Sequence, residues 1–301
     1  MHPCVQGGMK GTQPGRTAMT ETRYIPQSVA REIRDDGTVY LRSNVALGSV
    51  AARTSDWLHR WAEAAPDRVF IAERSGAGWR EVTYAETLDM VRALGAALLA
   101  RGLGQETPVL ILSGNGVDHA LLALAGQYVG VPTVPAAEQY SLVPGAHDRL
   151  IHVAELVKPA LAFTVDADQY AEALALPIFE GVEIVASSLG GSGATAFSDL
   201  LKTDAGSEVD AAREAVGPDT LAKILMTSGS TSSPKGVITT QKMMCVNQAQ
   251  LLATLPFLGQ RPPCILDWLP WNHVFGGSHN FNMMLSNGGS LYIDDGKPVR
   301  G

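Results

Sequence analysis

Strand-like and helix-like segments alternate through the middle of the chain. Short apolar runs at 108–113, 131–135, 161–165 and 182–185 are separated by helix-like stretches at 117–128, 148–157 and 167–174. Strands separated by helices of this length favour a parallel sheet with crossover connections, because the chain must return to the same edge before the next strand begins. The sequence therefore predicts a layered α/β fold with parallel-rich sheets flanked by helices.

The composition is that of a globular protein without a surface for coating nucleic acid. Hydrophobic residues make up 46% of the 301 residues, and 30 acidic against 23 basic residues leave a net charge of -7. Nucleic-acid-coating proteins need a basic excess to displace counterions. Cys4, Cys245 and Cys264 form no Cys-x-x-Cys pair, so neither a zinc site nor a disulfide framework is indicated, and we expect a cytoplasmic protein. The uncharged stretch 120–137 is interrupted by Gly130 and two prolines, so we expect no membrane span.

Three regions differ in their patterns. Residues 1–45 show no sustained periodicity and are predicted to be a flexible N-terminal arm. Residues 46–205 contain the alternation and are predicted to form a first α/β subdomain. The interval 187–219 is rich in Gly, Ser and polar residues, which is typical of a seam. Residues 206–301 are therefore predicted to begin a second α/β subdomain.

A capping box marks the start of one long helix. Thr83 and Glu86 stand three residues apart, so each side chain can satisfy a free backbone N–H of the other residue. Glycine is common directly after a helix, so Gly102 predicts that this helix ends at Arg101.

A loop rich in hydroxyl groups follows a predicted strand at 221–227. Residues 227–236 read Thr-Ser-Gly-Ser-Thr-Ser-Ser-Pro-Lys-Gly, and the segment 236–240 predicts a second strand directly after them. Consecutive small residues expose backbone N–H groups that can form an anion-binding nest, and Lys235 adds the positive charge that a phosphate site needs. The residues predicted to bind phosphate groups are Thr227, Ser228, Gly229, Ser230, Thr231, Ser232, Ser233, Lys235 and Gly236.

This loop differs from the P-loop of nucleoside triphosphatases. Counted from Gly229, Lys235 falls at the offset of the pattern G-x-x-x-x-G-K-[ST]. However, Pro234 replaces the second glycine, and Gly236 replaces the magnesium-binding hydroxyl. The chain also continues as a predicted strand rather than a helix. The P-loop interpretation therefore fails.

The loop resembles the phosphate loop of the acyl-adenylate-forming (AMP-binding) superfamily, which includes acyl-CoA synthetases, peptide-synthetase adenylation domains and luciferases. The superfamily pattern is Thr-Ser-Gly-Ser/Thr-Thr-Gly-x-Pro-Lys-Gly between two strands. This chain has Ser232 where glycine is usual and Met226 where an aromatic residue is usual. If the position of Ser232 requires a positive φ, serine costs on the order of 1 kcal/mol there. The resemblance extends over nearly the whole chain after about Val45.

A second segment supports the same resemblance. Residues 266–277, Leu-Asp-Trp-Leu-Pro-Trp-Asn-His-Val-Phe-Gly-Gly, are similar to a superfamily segment Pro-x-x-His-x-x-Gly whose histidine borders the carboxylate-binding pocket. Together with residues 278–282 and 287–298, this segment most resembles feruloyl-CoA synthetases and related aromatic-acid:CoA ligases. The resemblance implies catalytic roles for Lys235 and His273. It implies substrate-binding roles for His273, Phe275, Gly276, Asn280 and Phe281.

The function implied by the resemblance is that of an AMP-forming acid–thiol ligase. Such an enzyme uses ATP, Mg²⁺ and coenzyme A, and here a hydroxycinnamate- or ferulate-like acid is the expected substrate, with no metal ligand among the site residues. The resemblance implies no nucleic-acid partner. Superfamily members continue with a magnesium-binding glutamate segment, a ribose-binding aspartate and a small C-terminal domain. We therefore expect this chain to be an N-terminal fragment that does not complete turnover alone.

Three alternatives stay open on the sequence. The chain would carry the same motifs in a medium- or long-chain fatty acid:CoA ligase, or in a nucleotide-binding remnant without catalysis. The third alternative is an NAD-binding oxidoreductase, suggested by Gly114 and Gly116 after the strand at 108–113 and by Glu138 after the next strand. Against it, His119 stands at the third glycine position, and prolines interrupt the second strand.

Overall fold

The computed structural model describes residues 25–26, 28–143, 145–227, 233–294 and 296. The strands are β1 Val29–Ile33, β2 Val39–Ser43, β3 Val69–Ser75, β4 Gly78–Thr83, β5 Val109–Ile111, β6 Thr133–Pro135, β7 Leu161–Asp166, β8 Glu183–Ser188, β9 Thr195–Ala196, β10 Leu221–Thr227, β11 Lys235–Thr240, β12 Cys264–Asp267 and β13 Ser290–Ile293. The helices are α1 Ser55–Ala64, α2 Tyr84–Ala100, α3 Val117–Val129, α4 Gln139–Leu142, α5 His147–Val157, α6 Ala171–Leu174, α7 Phe197–Leu200, α8 Ser207–Ala215, α9 Gln241–Thr254 and α10 Phe281–Ser286, with 3-10 turns at Pro177–Phe179 and Pro256–Gly259 and a π-helix at Phe275–Asn280.

The larger of the two main sheets is almost entirely parallel. Within the described residues its order is β11-β10-β6-β5-β7-β8-β9, and only the β10–β11 pair is antiparallel. Strand β6 pairs with one edge of β5, and β7 pairs with the other edge. The carboxyl ends of the parallel strands all meet at one edge of the sheet.

The second main sheet has the order β12-β13-β3-β4 in the part of the chain described. Here β3 and β4 form an antiparallel hairpin, and β12 and β13 join it in parallel with β3. Both main sheets thus combine strands from before and after residue 205. The division of the chain into two subdomains at this point stays a prediction.

The core lies between the two sheets and is filled mainly by α2 and α3. Every residue of α3 except Ala123 is buried. A helix that is buried on nearly every face must be enclosed by other elements, and one buried cluster joins Phe70 of the smaller sheet to Val109 of the larger sheet through α2 and α3. A second cluster, which includes α5, covers the opposite face of the larger sheet. This layered α/β fold with parallel-rich sheets confirms the predicted class.

Three details differ from the sequence expectations. Residues 29–43, inside the predicted arm, form an exposed hairpin whose turn contains Gly37 with a φ of +82°. The predicted polar seam contains helix α8. The predicted helix at 167–174 shortens to α6.

Two further observations concern a free cysteine and the question of a membrane-spanning helix. Among the cysteines of the described residues, Cys245 of α9 is free and buried. Among the residues described, no helix is both long enough and apolar enough to cross a membrane.

Candidate functional site

A cavity of about 400 Å³ opens where strands of both sheets end. Its walls are residues 113–115 after β5, residues 136–139 after β6, and Trp268 with residues 270–273 after β12. Ligands of open α/β sheets bind in the crevice beyond the carboxyl ends of the parallel strands. This edge is therefore the candidate site.

The phosphate loop (residues 227–236) leaves the larger sheet at the same edge. Strand β10 runs parallel to β6, with Lys223 opposite Thr133, so both strands end on one side. Thr227 and Lys235 face each other across the β10–β11 pair, and the Thr227 hydroxyl donates a hydrogen bond of 3.3 Å to the Lys235 carbonyl oxygen. The loop is thus flanked by two strands, as the sequence predicted. Ser228, Gly229, Ser230, Thr231 and Ser232 lie outside the described residues.

The C-terminal side of the loop is anchored by α5. The imidazole Nε2 of His152 donates a hydrogen bond of 2.9 Å to the Pro234 carbonyl oxygen. A Cβ atom at Gly236 would lie 2.9 Å from Ile224 Cγ2, so packing against β10 explains the glycine. Ser233 and Lys235 are exposed, which leaves their side chains accessible to a ligand.

Asn115 holds the segment that contains His273. We refer to residues 267–280 as the His273 segment. The Asn115 amide donates to the Leu269 carbonyl oxygen at 2.9 Å and accepts from the Trp271 backbone N–H at 3.0 Å. Because Asn115 lies only four residues after the end of β5, these two hydrogen bonds fix the His273 segment to the larger sheet.

Two glycines let the π-helix lie directly on the backbone of residues 269–271. A Cβ at Gly276 would lie 2.8 Å from the Pro270 carbonyl oxygen, and one at Gly277 would lie 2.9 Å from the Trp271 carbonyl carbon. Such short π-helical turns are frequent at functional sites. His273 precedes this turn, is exposed and lines the cavity, and its carbonyl oxygen accepts from the Gly277 N–H at 2.9 Å.

The predicted substrate-binding residue Phe275 is exposed. Its ring stacks in parallel on His279, with centroids 4.7 Å apart and an angle of 8°. The His279 ring donates to the Asn280 amide oxygen, and the Asn280 amide donates to the buried Asp267 carboxylate, both at 3.0 Å. Asn280 therefore orients the ring on which Phe275 stacks.

Phe281, also predicted to bind substrate, lies in the core. It is 5% exposed and packs edge-on against Phe70 and Trp271, with centroid distances of 5.7 and 5.2 Å. The structure therefore places His273 at the cavity, Phe275 at the surface, and Gly276 and Phe281 in packed positions. The substrate contacts of these residues stay predictions.

Sequence reasoning missed Lys223. Lys223 is buried inside β10, and its ammonium group donates to the Gly277 carbonyl oxygen at 2.6 Å. Burial lowers the pKa of Lys223 to about 8. His119 of α3 is buried and donates to the Gly114 carbonyl oxygen at 2.9 Å, and burial lowers its pKa to about 4. The sequence signal that could have identified Lys223 is its charge inside the otherwise apolar run 221–226.

The geometry argues against the dinucleotide-binding alternative. A carboxylate oxygen of Glu73 accepts from the Val117 N–H at 2.8 Å, at the start of α3 where a pyrophosphate would have to bind. The Glu138 carboxylate lies so close to Gly114 that a Cβ there would come within 2.6 Å of it. A second anion at this helix start would be repelled by Glu73. Gly114 and Gly116 therefore leave room for neighbouring side chains here and do not indicate a dinucleotide site.

No protein metal site is visible in the described part of the chain. There, no group of three or more His, Cys, Asp or Glu side chains is arranged so that it could hold a metal ion.

Comparisons with known proteins agree on one family. A sequence profile described as AMP-binding enzyme matches residues 58–300. A long-chain-fatty-acid–CoA ligase of Mycobacterium tuberculosis is 29% identical over 222 residues, covering 69% of this chain and 34% of the relative. The 4-coumarate–CoA ligase-like 9 of Arabidopsis thaliana is 29% identical over 208 residues, covering 68% of this chain and 34% of the relative.

A solved structure shows the same fold. The crystal structure of fatty acyl-adenylate ligase from L. pneumophila, in complex with acyl adenylate and pyrophosphate, matches with a TM-score of 0.63 at 19% identity. The match covers 80% of this chain and 39% of that chain. The chain spans about a third of the length of the two curated relatives.

Proposed function

The chain belongs to the AMP-binding enzyme family, and on that premise we propose that it provides the phosphate loop and part of the acid pocket of an ATP-dependent carboxylic acid:CoA ligase. The observation that carries this proposal is the shared edge of the larger sheet. There the strand-flanked phosphate loop and the cavity lined by His273 lie beyond the carboxyl ends of neighbouring parallel strands.

In the first step, a carboxylate oxygen of the acid attacks the α-phosphorus of ATP. The bond from the α-phosphorus to the bridging oxygen breaks, and pyrophosphate leaves with the electron pair. Because two anions must meet, catalysis depends on positioning and charge neutralisation. The backbone and hydroxyl donors of residues 227–236 would hold the β- and γ-phosphates, Lys235 would offset the charge on the departing pyrophosphate, and His273 would border the carboxylate. Mg²⁺ held by the phosphate oxygens of ATP would supply further neutralisation.

For the acid, we favour a hydroxycinnamate- or ferulate-like compound. The exposed ring of Phe275, stacked on His279 beside the cavity-lining His273, offers an aromatic face for such a substrate. A long-chain fatty acid is the second candidate, because one relative is named as a long-chain-fatty-acid–CoA ligase. Transfer of the acyl group from the adenylate to coenzyme A would complete the reaction in the whole enzyme.

Acid-dependent exchange of labelled pyrophosphate into ATP tests the proposal. The assay compares ferulate, benzoate and octanoate, using the 301-residue chain and the product of the whole open reading frame that encodes it. Lys235→Ala should reduce exchange at least ~100-fold with the fold retained, since it removes a charge that stabilises the transition state. Lys242→Ala, at an exposed lysine on α9, serves as the matched control. If the folded whole product neither binds ATP nor supports exchange with any acid, the ligase proposal is wrong.

A further inference from the structure

Lys223 is a buried lysine for which the described residues provide no ionic partner. Its residue exposure is 6%, it lies within β10, and no carboxylate of the described ranges forms an ion pair with it. A buried charge without a counterion destabilises a fold, so such a residue is uncommon unless another requirement retains it.

Within the described residues, the ammonium group of Lys223 makes one hydrogen bond, to the backbone of the π-helix. Its acceptor, the Gly277 carbonyl oxygen, lies 2.6 Å away in the π-helix. Gly277 also donates to the His273 carbonyl oxygen and lies against the Trp271 backbone. Lys223 itself stands four residues before Thr227, where β10 enters the phosphate loop. One charge-assisted bond thus links the strand of the phosphate loop to the His273 segment.

We propose that Lys223 is a positioning residue that couples the phosphate-loop strand to the His273 segment, and so aligns the two halves of the adenylation site. This inference rests on the proposed function for its catalytic meaning. The coupling itself depends only on the contact between Lys223 and Gly277. Hydrogen bonds to a charged group are about twice as strong as neutral ones, which suits a contact that fixes one element against another.

The surroundings of Lys223 isolate its charge. A small cavity of about 20 Å³ adjoins it, and His119 of α3 is the other titratable group on the wall of that cavity. The remaining wall residues are uncharged: Ala120, Ala123, Gln127, Thr133, Pro135, Trp271, Gly277 and Phe281. Burial keeps the pKa of His119 at about 4, so that this ring is neutral across the working range, whereas the pKa of Lys223 is about 8. Between pH 7 and 9, Lys223 is therefore the group of this cavity that changes charge.

Hydrogen exchange measured by mass spectrometry tests the coupling without any ligand. In Lys223→Met, the amides of residues 273–280 should exchange about tenfold faster, because the π-helix loses its tie to β10, while peptides from α2 keep wild-type protection. Lys202→Met, which removes an exposed lysine paired with Asp199, should leave both regions unchanged. Wild-type protection of residues 273–280 in Lys223→Met would overturn the proposal.

Two further readouts separate positioning from support of the fold. Lys223→Met should have a melting temperature equal to or above that of the wild type, yet catalyse ATP–pyrophosphate exchange about tenfold more slowly at saturating ATP. The exchange rate of the wild type should fall as pH rises through about 8, and Lys223→Met should lack this step. Parallel losses of melting temperature and activity would instead assign Lys223 a purely structural role and refute the proposal.

The outcomes distinguish this inference from the proposed function. If the wild type shows no exchange activity but Lys223→Met still loosens residues 273–280, the adenylation proposal fails while the coupling stands. If Lys223→Met does not fold, the wild type is compared at pH 7 and 9.5 after correction for intrinsic exchange rates. Deprotonation of Lys223 should then loosen the same residues, and unchanged protection contradicts the coupling.

Discussion

Replacing Gly277 by alanine should destabilise the protein through one identifiable clash. The added Cβ would overlap the Trp271 carbonyl oxygen and lie 2.9 Å from its carbonyl carbon and 3.0 Å from its Cα. These are backbone atoms, which cannot rotate away as a side chain can. Trp271 is also held in place, because the residue is only 5% exposed and its backbone N–H donates to the Asn115 side-chain oxygen.

The cost of this clash can be worked from the contacts around Gly277. The π-helix must retreat by roughly 1 Å before the new methyl group reaches ordinary van der Waals distance. Overpacking of this kind costs about 1–3 kcal/mol, and loss of the charge-assisted bond from Lys223 to Gly277 costs about 1.5–3 kcal/mol. We expect the free energy of unfolding to fall by about 3–5 kcal/mol.

Urea denaturation followed by circular dichroism measures this change. Gly193→Ala is the matched control, because a Cβ there meets nothing within 4 Å and the backbone is not in the positive-φ region. The control should stay within about 1 kcal/mol of the wild type. A Gly277→Ala variant that differs from the control by less than about 1 kcal/mol would refute the close packing of the π-helix on residues 269–271.

Three further changes give separate checks. Thr83→Ala removes the hydroxyl that accepts from the Glu86 N–H and should cost about 1 kcal/mol in urea denaturation, so an unchanged midpoint would contradict the capping box. Lys223→Met should stabilise the fold at pH 7 by at most about 3 kcal/mol, because the pKa of Lys223 falls from 10.5 to about 8 on folding. The cost of burying the charged lysine in the wild type is fully present below pH 8 and disappears as pH rises toward 10.5. The stability difference between variant and wild type should therefore shrink from pH 8 to pH 10.5. A difference that stays constant over this range would contradict the lowered pKa of Lys223. Phe281→Ala should cost about 3–5 kcal/mol as a core truncation, and an unchanged KM for the acid in the exchange assay would exclude a substrate contact.

Local signals in the sequence located most of the elements. The alternation between 108 and 185 identified β5 to β8 and α3 to within a few residues, because burial on both faces leaves apolar runs that periodicity detects. The hairpin at 29–43 escaped notice, since Arg31 and Glu32 interrupt its apolar alternation and nearly all of it is exposed.

The candidate site was only partly visible in the sequence. The phosphate loop and His273 were identified by motif, and both flanking strands of the loop appear where expected. Phe281, predicted to contact substrate, packs against Phe70 and Trp271 in the core, and its substrate contact stays a prediction. Spacing alone cannot distinguish these positions, because a side chain near a pocket and one beneath it can be neighbours in the chain.

By itself, the sequence determined which runs are buried and where α2 begins, and it predicts which loop holds phosphate. Only the tertiary structure decided which segments meet. The pairing of β10 with β6 joins Lys223 to Thr133, and the contact of Lys223 with Gly277 crosses a further part of the chain. Such contacts depend on the packing of many elements at once, and the periodicity within one segment does not show which other segments it will contact. For this reason a lysine that the sequence shows only as one charge in an apolar strand becomes, in the fold, the link between the two halves of the site.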